Sequence, residues 1–127
     1  MTTRQVNWFN YLIGDKPDSE RKEIQMNMAD IAERAVNSTV AEHDLYTQKA
    51  GDSVWYVWTD DQRGPATTSE GMIYLREGVL VKLDDVTVIV RAVADNGLNC
   101  GEARLTGFAA TNAELIQGVI ETAVASA

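Results

Sequence analysis

Apolar and polar positions change period twice along the chain. From Met1 to about Ala50 the apolar residues recur at helical spacing; from Asp52 to Ala110 they alternate or run together as in strands; from Thr111 onward the helical spacing returns. In the opening segment Val6, Phe9 and Leu12 or Ile13 share one helical face, with Trp8 and Tyr11 alongside. The run Gly14 to Asp18 breaks this helix, because Pro17 keeps its predecessor out of the α region. Asp18 or Ser19 is placed to cap a second helix, and Glu20 and Glu23 suit its positive end. Ile24, Met28, Ile31 and Ala35 then form one buried stripe. Thr39-Val40-Ala41-Glu42 reads as a capping box. It predicts either a further helix stopping before Gly51 or one continuous bent helix.

The middle region predicts five strands. Ser53 to Thr59 is aromatic and β-branched on both faces, as in a strand covered on both sides. Asp60 to Gly71 holds Gly64-Pro65 and a Thr-Thr-Ser run, which reads as a mobile loop. Met72 to Arg76 and Val79 to Leu83 flank Glu77-Gly78, a two-residue hairpin signal. In Val86 to Ala94 the residues Val86, Val88, Val90 and Ala92 share one face, and Thr87, Ile89, Arg91 and Val93 the other. Asp95-Asn96-Gly97 opens a turn running to Gly101, and Glu102 to Ala110 returns as a strand. Thr111-Asn112-Ala113-Glu114 is a second capping box. The helix after it carries Leu115, Ile116, Val119, Ile120, Ala123 and Val124 on one wide stripe. The expected class is therefore α+β: N-terminal helices, a five-stranded antiparallel meander and a C-terminal helix packed on it, as one domain over residues 1–127.

Composition narrows the function classes. The chain has 127 residues, 45% hydrophobic and 24% charged, ordinary proportions for one self-sufficient core. Cys100 is the single cysteine, so no internal disulfide can form, and the expected compartment is the cytoplasm. No apolar run approaches the length of a membrane span, and Met1 to Gly14 lacks the pattern of a signal peptide. A net charge of −8 with scattered Lys and Arg argues against nucleic acid as a partner. An acidic inhibitor of a basic partner would need a one-signed face, yet Arg21, Lys22 and Arg34 interrupt the acids of the second helix.

Candidate chemistry is sparse. A nucleophilic dyad would have to pair Cys100 with His43, the only histidine, and these sit in a turn and on a helix surface in the predicted elements. Neither a Gly-x-Ser-x-Gly elbow nor a phosphate-binding glycine loop occurs. Zinc lacks its ligands, and the pairs Asp60-Asp61 and Asp84-Asp85 read as turn formers, so neither a metal nor another cofactor is expected and no catalytic residue is assigned. Trp55, Tyr56, Trp58 and Tyr74 could stack a planar ligand, with Arg76 or Arg91 holding its anionic group. The more general signal is an excess of apolar surface. With Trp55, Val57, Ile89 and Val93 assigned to one sheet face and Val54, Trp58, Val88 and Val90 to the other, three short helices must cover two apolar faces. Residues 1–14, with Trp8, Phe9, Tyr11 and Leu12, would then either dock on a second chain or fold back on their own core. The expectation is a non-enzymatic interaction or assembly protein of the bacterial or phage accessory kind, a homo-oligomer that can also engage another protein. A small-ligand binder built on the aromatic strand and its loop is the alternative.

Overall fold

The computed structural model describes residues 18–126; the opening apolar segment and its candidate interface residues Trp8, Phe9, Tyr11 and Leu12 lie outside them. The first described helix, α1 (Asp18–His43), runs 26 residues without a break. Thr39 does not start a new helix: its buried hydroxyl donates to the Ala35 carbonyl at 2.7 Å. Of the two expectations, the continuous helix is the one observed.

The helix ends earlier than its polar pattern suggests. Asp44 adopts a left-handed φ of 52°, and the Leu45 N–H reaches back to the Val40 carbonyl at 3.1 Å. This six-to-one closure is how helices commonly stop, and aspartate tolerates the left-handed position better than most residues. Leu45 and Val40 both pack against the core beneath it. The chain leaves the helix at that point and enters β1 (Tyr46–Gly51), where a helix was expected.

Five more strands follow: β2 (Val54–Trp58), β3 (Gly64–Thr67), β4 (Ile73–Asp84), β5 (Thr87–Ala94) and β6 (Leu98–Leu105). Five of the six form an antiparallel meander in the order β1-β2-β4-β5-β6, and β3 pairs with the first half of β4. The fold is α+β. Three expectations are corrected here. The Asp60–Gly71 stretch contains β3. The second turn is shorter than expected, because β6 begins at Leu98, directly after Asp95-Asn96-Gly97, and ends at Leu105. Glu77-Gly78 is not a hairpin: β4 runs straight through it. Gly78 has a φ of 142°, and a Cβ there would lie 2.5 Å from the Val57 carbonyl oxygen. The glycine lets β2 approach and lets β4 change partners, from β3 before it to β2 after it.

The register sorts the side chains into two faces. Lys49, Trp55, Val81, Val90 and Ala103 stand in one row across the sheet, and Gln48, Tyr56, Leu80, Arg91 and Glu102 in a row on the opposite face. Trp55, Val57, Val88 and Val90 therefore share a face, and Ile89 and Val93 belong with Val54 and Trp58. The sequence-based assignment had β5 reversed relative to β2. A strand's alternation says which of its residues agree, not how they match the next strand.

After β6 a 3-10 turn (Ala109–Thr111) leads into α2 (Ala113–Ser126). Asn112 is the cap of α2: its Oδ1 accepts from the N–H groups of Glu114 and Leu115 at 3.0 and 3.1 Å. Both described helices cover the same sheet face. Met28, Ala32, Ala35 and Val36 of α1 and Ile116 and Ile120 of α2 are buried with Trp55, Val57, Val79, Val81, Val88 and Val90 in one cluster. The opposite face carries a smaller cluster in which Tyr56, Leu75 and Val93 are buried and Val54, Trp58, Ile73 and Leu80 are half-buried.

Candidate functional site

The described helices cover β6 only in part, at Leu105. Between α2 and the last strand lies an open apolar groove of about 650 Å³. Its floor is Val90, Ala92, Gly101 and Ala103; its wall is Leu115, Gly118, Val119, Thr122 and Ala123. The wide stripe of α2 is in fact two stripes. Ile116 and Ile120 go fully into the core, whereas Leu115, 46% exposed, and Val119 turn to the groove. Cys100, Glu102, Glu114 and Ser126 complete the lining.

Two glycines mark this groove. Gly118 sits in the middle of α2 and Gly101 in the middle of β6; a Cβ added to either would meet nothing within 4 Å, and neither has a positive φ. Glycine inside a helix costs about 0.5–1 kcal/mol relative to alanine, and inside a strand it weakens pairing. Among the described residues no packing contact accounts for either.

The two edges of the meander differ. β1 carries an irregular register between Lys49 and Gly51, with Lys49 on its exposed edge, features that discourage further pairing. β6 pairs regularly with β5 from Val88↔Leu105 to Ala92↔Gly101, its own register shift comes only after that, between Ala92 and Val93, and among the described residues its other edge has no strand partner. On the face away from the helices Glu102 Oε1 accepts from Arg91 at 2.8 Å, and Glu102 Oε2 accepts from Arg104 at 2.7 Å. The Arg104 guanidinium, followed by that of Arg91, holds the Glu102 carboxyl below the usual glutamate range.

The six residues expected to bind a ligand are divided. Tyr56, Tyr74 and Arg91 come together with Leu80 and the Asn96-Gly97 turn around a shallow hollow of about 320 Å³. Burial raises the Tyr56 phenol above its ordinary value. Trp55 is on the opposite, helix-covered face, where its indole N–H donates to Glu33 at 3.2 Å. Trp58 stacks on Tyr46, ring centres 5.9 Å apart. Arg76 is committed to the backbone: its guanidinium donates to the carbonyls of Arg63, Gly64 and Pro65, clamping β3 to β4.

His43 and Cys100 are not assembled into a dyad. His43 Nε2 lies 2.8 Å from Glu121 Oε2, joining the end of α1 to α2, and Cys100 Sγ, exposed, is 3.6 Å from the Leu98 carbonyl. Glu42 adds a third potential ligand atom, and the three groups lie within 4.8 Å of one another on the surface. Sequence reasoning did not find this trio, because 78 positions separate His43 from Glu121. It also missed the groove, although Gly118 within a helical stripe was a readable signal. Comparisons with protein-family models, with curated proteins and with solved structures each returned no match.

Proposed function

We propose that this protein works by association and not by catalysis: a non-enzymatic interaction or assembly protein that forms homo-oligomers. The observation that supports this reading is the apolar groove beside β6, where a half-exposed apolar wall on α2 adjoins a strand edge without a partner among the described residues. Such an edge offers main-chain hydrogen bonds, and the wall offers burial of about 25 cal/mol per Å² of apolar surface. The test is solution mass by sedimentation across the micromolar range. Wild type is expected to associate, and Leu115→Glu with Val119→Glu to be monomeric with its secondary structure retained. A wild type that stays monomeric at high micromolar concentration, or an unaltered mass in the double variant, refutes the reading.

A small-ligand site is the second reading, favoured by the joining of Tyr56, Tyr74 and Arg91 around one hollow. Of the six residues it began with it retains these three, and Arg91 already serves Glu102.

A further inference from the structure

We infer that the groove and edge are completed by a second copy of this chain, through antiparallel β6–β6 pairing about a two-fold axis at Ala103. This rests on the association reading and specifies its partner and register. The segment Gly101-Glu102-Ala103-Arg104-Leu105 is complementary to itself when reversed. With Ala103 opposite Ala103 of the second copy, Glu102 faces Arg104 and Arg104 faces Glu102. Both charges of each chain lie on the face away from the helices, where they bond one another at 2.7 Å within the chain. Opposite charges directly across an antiparallel pair are favourable, and like charges there are not.

The helix-side face is complementary in size. Leu105, which belongs to the core, lies opposite Gly101, at which the space for a side chain is open. The pair on the axis is alanine with alanine, so nothing bulky stands at the centre. The second copy brings its own α2 to the far side of the seam, and the two apolar grooves become one shared channel floored by both β6 strands. Gly118 on the groove wall leaves room for close approach from outside, which supplies a reason for a glycine that the described residues do not require. A one-residue slip of the register would set charge against apolar residue on both faces. Isologous contacts of this kind also close after two copies, so the assembly is a dimer and not a fibre.

Charge exchange tests the register. Glu102→Arg sets two guanidinium groups against each other at both ends of the seam, and Arg104→Glu sets two carboxylates against each other in the same places. Each variant alone is expected to raise the dimer dissociation constant about tenfold or more. An equimolar mixture of the two restores complementarity and is expected to form a heterodimer near wild-type strength. Cross-linking tests the axis. Directly opposite residues have Cα atoms about 4.5–5.5 Å apart, within disulfide range. Ala103→Cys in a Cys100→Ser background should therefore form a disulfide-linked dimer under mild oxidation. In wild type the two copies of Cys100 lie about 20 Å apart along the seam and should not link. If wild type is dimeric but the mixture gains nothing and the Ala103→Cys variant does not cross-link, the β6 register is wrong and association uses another surface. A groove filled by residues 1–17 of the same chain would give a monomer whose mass ignores both charge variants. That result overturns this inference and the association reading together.

Discussion

Gly78 stands where β2 closely approaches the backbone of β4. With φ at 142° and the Val57 carbonyl 2.5 Å from where a Cβ would stand, it admits no larger residue without moving β2. Gly78→Val is expected to lower unfolding free energy by at least about 2 kcal/mol, since the strained φ alone costs about 1–3 kcal/mol and the overlap adds to it. Urea denaturation measures this, and a variant as stable as wild type would show that β2 and β4 are not in this close approach. The glycine itself was legible in the sequence, but its meaning was not. Glu77-Gly78 has the composition of a tight turn, and only the separate partners of the two halves of β4 show that the chain does not reverse there.

Among the elements, α2 has the clearest division of labour. One stripe, with Ile116 and Ile120, anchors the helix to the sheet, and the neighbouring stripe, with Leu115 and Val119, faces the groove. Gly118→Ala separates the two tasks. Among the described residues the new methyl group meets open space, so at low concentration the variant should be more stable by about 0.5–1 kcal/mol through helix propensity alone. If the groove is an interface, the same methyl group should weaken self-association measured by sedimentation. A variant that gains stability with its self-association unchanged would mean that Gly118 faces no partner. The helical stripe was legible from spacing, yet its width concealed two functions, because spacing counts apolar positions without saying how much sheet is available to cover them.

For the molecule as a whole, the two described helices lie on one sheet face and are tied at one end by His43 and Glu121. The His43 hydrogen bond, with a smaller share from Gln117, holds the Glu121 carboxyl below the ordinary glutamate range. A depressed carboxyl contributes stability above its unfolded value, and that contribution is lost as pH falls through the lower folded value. Acid titration of the melting temperature should therefore show a decline below the normal glutamate range that Glu121→Gln flattens. An identical decline in the variant would place the acid sensitivity elsewhere, with Glu102 next in line. The unequal cover of the sheet also belongs to this scale. The sequence pointed to more apolar surface than the helices should cover; among the described residues no helix lies on the face that holds Tyr56, Leu75 and Val93, and an apolar groove is left between α2 and β6.

Period and punctuation were enough to determine the class of the molecule: helix, then antiparallel strands, then a capped helix. Both signals are local, since side-chain alternation and turn chemistry act over a few residues. The start of the last helix and the opening of a turn at Asp95 could be placed for that reason, although the capping-box pattern puts the cap on Thr111 and the structure puts it on Asn112. Tertiary structure alone decided which faces of neighbouring strands agree, which strand each half of β4 joins, and where the helix layer stops short. These depend on register between segments far apart in the chain, and a strand's own pattern is satisfied equally by either face. It also decided what brings His43 to Glu121 and Arg91 to Glu102, because the contact is set by the packing of whole elements and leaves no trace in the spacing of either residue.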